Sequence, residues 1–187
     1  TLKVDGIRSN SASSDAITLA SDGTCTANIT NRSNRNLIIN GAMQVAQRGT
    51  SSTSTSYQTV DRIKLGSGGV DEAPTQAQVD VASGTPAYQA GFRKAYKITN
   101  GNQTATDAGD HIQVDYFIEA QDLANSGWDY TSSSSYVTLS FWIKSSTATA
   151  FPATFRTIDG TSQVYNMTTG TLSADTWTKI TKTIPGN

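Results

Sequence analysis

The chain has 187 residues, of which only 16% are charged, and its formal net charge is −1. That balance excludes the basic surface a nucleic-acid binder needs to displace counterions from phosphate, and a polybasic membrane-surface protein with it. No run approaches the roughly 18 apolar residues of a membrane span, no charged-then-apolar leader opens the chain, and one Cys and one His exclude an intrachain disulfide and an ordinary Cys/His zinc site.

Thr and Ser contribute 28 and 22 residues, while Glu occurs only as Glu72 and Glu119. Thr, Val, Ile and the aromatics suit a half-buried pleated surface, and Ser, Asn and Gly suit turns. The expected class is therefore all-β. Residues 1–36 contain no aromatic side chain. Short alternating pieces at 2–4, 16–19 and 27–29 are separated by turn chemistry at 9–14 and 21–23. Their few large apolar groups do not offset the ordering entropy of the segment, at about 1 kcal/mol or more per residue. Either the segment is a flexible tail, or its strands complete their core with other copies of the chain. The alternation favours the second. Residues 37–187 then form a separate region.

Strands are expected there at 62–65, 78–81, 94–99, 112–119, 136–144, 153–158, 164–168 and 177–184. The clearest is 136–144, where Val137, Leu139, Phe141 and Ile143 share one face and Tyr136, Thr138, Ser140, Trp142 and Lys144 the other. Ile112, Val114, Tyr116 and Ile118 line up in the same way. Helix is confined to short turns at 118–125 and around 40–47. The Ser/Thr-rich stretches 51–56 and 131–135 read as solvated spacers. About eight strands at this spacing suggest two packed antiparallel sheets.

Two sets of blocks carry a resemblance. Asn36-Leu-Ile-Ile-Asn-Gly-Ala-Met-Gln-Val-Ala-Gln-Arg-Gly-Thr50, Val60-Asp-Arg-Ile63, Phe92-Arg-Lys-Ala-Tyr-Lys-Ile98, Ile118-Glu-Ala-Gln-Asp122, Val137-Thr-Leu-Ser-Phe-Trp-Ile-Lys-Ser145 and Thr176-Trp-Thr-Lys-Ile180 follow in order. Together they resemble the carbohydrate-binding-module-like jelly rolls of bacteriophage tail fibres. Thr1-Leu-Lys-Val-Asp-Gly-Ile-Arg-Ser9 and Asp15-Ala-Ile-Thr-Leu-Ala-Ser-Asp-Gly23 resemble the short β-repeats that open such fibres. The resemblance implies a virion protein of the tail, a homotrimer held through residues 1–36 and docked there to other tail or adaptor proteins. Residues 37–187 would be an antiparallel jelly-roll sandwich that attaches to a host-surface glycan. Members of this family continue into a further closing strand, so the sandwich is expected to be incomplete at its carboxy-terminal end.

No catalytic constellation is legible. His111 precedes a strand with no Gly-x-Ser-x-Gly elbow elsewhere, and Glu119, the one strand glutamate, belongs to a scaffold block. No carboxylate spacing near Asn40, Asp71 or Asp110 resembles a calcium loop, so neither a metal nor a cofactor is assigned. Cys25 reads as a small buried apolar residue, with an interchain crosslink as the alternative. A sugar site needs an aromatic platform beside polar groups. Trp128, Asp129 and Tyr130, in a Gly- and Ser-flanked loop, are the candidate ligand-binding residues. The competing role for Trp128 is to cap the core, and Trp142 and Trp177 read as structural. The alternative to glycan attachment is a purely architectural virion protein (a head decoration, collar or baseplate spacer) that binds other virion proteins and no sugar.

Overall fold

A computed structural model of the protein describes residues 4–27, 36–158 and 161–186. The fold is all-β: the described residues form twelve strands and two helices of four and seven residues. The chain divides into two compact units, Thr1–Leu37 and Ile38–Asn187. The sequence pieces at 2–4 and 27–29 lie mostly outside the described residues.

In the first unit, β1 (Gly6–Ile7), β2 (Ile17–Leu19) and β3 (Cys25–Ala27) form an antiparallel meander in that order. Ile7 pairs with Ile17, and Leu19 with Cys25. The β2–β3 turn closes on Asp22, whose Oδ1 accepts from the amide and hydroxyl of Thr24, and Gly23 supplies the positive φ of 87°. Three strands this short cannot bury their side chains. Val4 and Leu19 are exposed, Ile7 is 54% exposed, and Cys25 is exposed too, not buried as its type suggested.

The second unit is built from small antiparallel sheets. β9 (Tyr136–Ile143) and β12 (Thr178–Pro185) pair along their full length, from Thr178 opposite Ile143 to Pro185 opposite Tyr136. The period of two holds on both strands. Val137, Leu139, Phe141 and Ile143 are withdrawn from solvent, opposite a β12 face that carries the buried Ile180 and Ile184. Tyr136, Thr138 and Ser140 face outward and are exposed. β5 (Ile63–Gly68) pairs with β8 (His111–Tyr116), where Ile63 and Leu65 are buried opposite Tyr116 and Val114. β6 (Thr75–Asp80) lies between β4 (Ser51–Ser52) and β7 (Lys94–Thr99). β10 (Pro152–Arg156) and β11 (Val164–Thr168) make a hairpin. α1 (Pro86–Gln89) starts at Thr85, whose hydroxyl caps the Tyr88 amide, and α2 (Ala120–Ser126) occupies the expected helical turn.

Three expectations are corrected. No helix forms at 40–47. Asn40 and Met43 take left-handed φ angles of 58°, and the Asn40 side chain binds both the N–H and the C=O of Val45, as well as the Asp61 carbonyl. A local side-chain bond of this kind competes directly with helix. Nor is 51–56 a solvated spacer: β4 pairs with β6, and Ser56 (φ 74°) bridges to Leu65 of β5. The third stretch, 131–135, is tied down by the hydrogen bonds described below.

One buried polar group joins these parts. Gln76 on β6 is fully buried. Its Oε1 accepts from Thr59 Oγ1 at 3.1 Å and Tyr96 Oη at 3.3 Å, while its Nε2 donates to the carbonyls of Ser54 at 2.6 Å and Ser56 at 3.2 Å. A side chain that spends its donors and acceptor this fully is satisfied in the interior.

Candidate ligand-binding site

The segment holding Trp128, Asp129 and Tyr130 begins where α2 ends. Gly127 adopts the left-handed C-cap conformation, φ 76°, which a residue without Cβ takes at little cost. Ser126 Oγ then donates to the Leu123 carbonyl and accepts from the Trp128 amide. The chain leaves the helix on a fixed course.

The three candidates do different things. The Trp128 indole Nε1 donates to the Ser135 carbonyl at 3.3 Å, and its ring lies tilted at 58° against Phe155 of β10, with centroids 5.9 Å apart. That is a favourable aromatic geometry, and it makes Trp128 the anchor between the loop and the β10–β11 hairpin. Asp129 Oδ1 accepts from the amide and hydroxyl of Thr131. Those two bonds, the hydroxyl first, hold its carboxyl below the usual carboxylate range. Tyr130 carries its ring outward and is 62% exposed.

The Ser-rich half of the loop is equally fixed. Asp129 N donates to Ser135 Oγ, Ser132 N to the Asp129 carbonyl, and Ser135 N to the Ser132 carbonyl. Gly186, just past β12, donates its N–H to the Ser135 carbonyl. It lies so close that a Cβ there would stand 2.6 Å from the carbonyl oxygens of both Asp129 and Ser132. The loop is a preorganised platform closed against the end of β12.

Other chemistry-bearing residues act in the scaffold. Arg62 Nη1 reaches Glu119 Oε1 at 2.6 Å, and that bond, above all, holds the Glu119 carboxyl low. The Asp71 carboxylate accepts from the amides of Thr104 and Ala105 and from the Thr104 hydroxyl, which lower it likewise. His111 is exposed at the start of β8, with Nδ1 2.9 Å from the Gly109 carbonyl and its ring over Gly68. Sequence reading passed over the outward face of β9 and β12. Trp142 and Trp177 are half-buried there, and Lys144 Nζ lies 5.9 Å from the Trp177 ring centroid. No family model, curated protein or solved structure matches the chain.

Proposed function

We propose that the chain is a bacteriophage tail-fibre subunit, a homotrimeric virion protein that attaches to the host surface by glycan recognition and makes or breaks no covalent bond. The observation that carries recognition is Tyr130, an exposed ring on a loop pinned by Trp128, Ser135 and Gly186. A rigid aromatic with neighbouring polar groups offers a face for a sugar ring and partners for its hydroxyls. In this reading the second unit is the jelly-roll sandwich that the ordered sequence blocks resemble. Three copies of a weak site give useful avidity through effective concentration.

Residues 1–36 would join the copies and dock them to tail or adaptor proteins. The exposed Val4, Ile7 and Leu19 support this, since a meander that leaves its apolar groups in water gains by covering them.

The architectural alternative draws on the β10–β11 hairpin, where Phe151, Ile158, Val164 and Tyr165 are exposed and would suit contact with another virion protein. One experiment separates the two. Tyr130→Ala is expected to weaken binding to an array of bacterial surface polysaccharides about tenfold, with an unchanged melting temperature. Deleting residues 1–36 is expected to give a folded monomer by light scattering. Wild-type protein that binds no polysaccharide, yet is found buried between other subunits in the particle, would establish the architectural role.

A further inference from the structure

The outward face of β9 and β12 is a second surface with the chemistry of a ligand track. The register sets Tyr136 beside Pro185, Thr138 beside Thr183, Ser140 beside Thr181 and Trp142 beside Lys179. One step on, Lys144 approaches the Trp177 ring. Directly opposed residues have Cβ atoms about 5 Å apart, so the four hydroxyls form a compact grid with aromatic rings at both ends. Thr138, Ser140, Thr181 and Thr183 are exposed, and no hydrogen bond among the described residues engages their hydroxyls.

The ten positions of this face carry charge of one sign, with Asp175, whose amide donates to the Ser145 carbonyl, as the acidic residue bordering its tryptophan end. Lys144 and Lys179 stand at the tryptophan end, and none of the ten positions is acidic. Neither lysine has an ion-pair partner among the described residues. Asp129 lies in the loop at the opposite end, where Gly186, the residue after Pro185, touches the loop backbone. From Tyr136 to Trp142 the strand runs about 20 Å, long enough for several sugar rings.

We propose that this face binds an anionic glycan, with the acidic groups at the Lys144–Lys179 end, Trp142 as a stacking ring and the Ser/Thr grid on the hydroxyls. The inference rests on the glycan-recognition reading above and adds a second site and a substrate class. Each hydroxyl both donates and accepts, as a sugar hydroxyl requires of its partner. Ammonium groups add charge-assisted bonds to carboxylate or sulfate oxygens.

The test is gel retardation of the full chain in polygalacturonate (carboxylate), dextran sulfate (sulfate) and neutral dextran, at increasing salt, with single-stranded oligothymidylate as a competitor. Retardation by one or both anionic polymers and not by dextran is expected, and the arm that responds identifies the acidic group. The double variant Lys144→Ala/Lys179→Ala should weaken it about tenfold or more and keep its melting temperature, since both lysines are exposed. Trp142→Ala should weaken it comparably. Anionic binding untouched by the lysine variant, retardation equal in dextran, or equal competition by the oligonucleotide overturns the proposal. Loss of surface-polysaccharide binding in Tyr130→Ala but not in the lysine variant would leave glycan recognition standing and remove this face from it. Absence of binding to all three polymers removes this face, and absence of binding to the surface-polysaccharide array as well removes glycan recognition with it.

Discussion

Replacing Gln76 with Met tests the central joint of the fold. Met keeps the length of the side chain and removes its amide. Thr59 Oγ1 then loses its acceptor, and Thr59 is 1% exposed, so water does not replace the bond. Leaving such a group unsatisfied costs about 1–3 kcal/mol. The half-buried Tyr96 hydroxyl loses a 3.3 Å bond and the Ser54 carbonyl a 2.6 Å one, each worth about 0.5–1.5 kcal/mol net when water can partly compensate. The Ser56 carbonyl keeps the Leu65 amide. Together this is about 2–6 kcal/mol, or roughly 6–18 °C in melting temperature for a unit of this size. Thermal unfolding followed by circular dichroism at neutral pH measures it, with Gln78→Met as the comparison, since that change removes one bond, to the Met43 carbonyl, at about 1 kcal/mol. A Gln76→Met protein that melts within about 2 °C of wild type would refute the claim that these bonds hold the sheets together. Tyr96 gives an independent check. Burial pushes its hydroxyl up to about 12, so the unfolded chain, near 10, releases its proton first. The contribution is intact below about pH 10 and falls away up to about 12, and Tyr96→Phe should abolish that part of the alkaline loss.

On β9, Phe141→Ala should cost about 3–4 kcal/mol, since Phe141 lies opposite the buried Ile180; Ser140→Ala, exposed on the other face, should cost under about 0.5 kcal/mol, and similar melting losses for the two would disprove the assignment of faces. Gly186→Ala should destabilise by about 1–3 kcal/mol, because its Cβ meets two backbone carbonyls, whereas Gly109→Ala, with open space around it, should be silent. The Asp71 carboxyl is held low by its bonds to Thr104 and Ala105. Its tie to that segment is therefore fully present above the ordinary value near 4 and lost as pH falls through the depressed one. The Thr104 amide resonance should hold its position to below about pH 4 and shift at all pH values in Asp71→Ala.

Strands with one buried face were legible because their alternation is chemical. Along Tyr136–Ile143 the apolar residues fall on one side, and the structure withdraws that side from solvent. Lys94–Thr99 and Val164–Thr168 fall where expected. The segments that escaped are those whose polar residues do interior work. Gln76 and Thr59 lie outside every expected strand, and only three-dimensional convergence with Ser54, Ser56 and Tyr96 shows why they are buried. Around 40–47, expected as a short helical turn, the Asn40 amide instead takes partners in Val45 and Asp61.

The same limit applies to the candidate site. Trp128 and Tyr130 are two residues apart and alike in type, and the sequence cannot say which ring faces water. The answer comes from the Ser135 carbonyl and from Phe155, distant in sequence, which take the indole and leave the phenol exposed. The blocks that carry the resemblance hold residues of both kinds. Asn40, Asp61, Arg62 and Glu119 pin turns and element ends, so their presence speaks for a scaffold and not for a ligand. Within the block Val137–Ser145 the two roles alternate residue by residue. Its even positions, Thr138, Ser140, Trp142 and Lys144, lie on the face away from Val137, Leu139, Phe141 and Ile143, with Thr138, Ser140 and Lys144 exposed and Trp142 half-buried. A fold asks only for polarity at the exposed Thr138 and Ser140, whereas the half-buried Trp142 ring and the Lys144 ammonium beside the Trp177 ring also have partners within the chain, so residue type alone does not separate scaffold from surface along this strand.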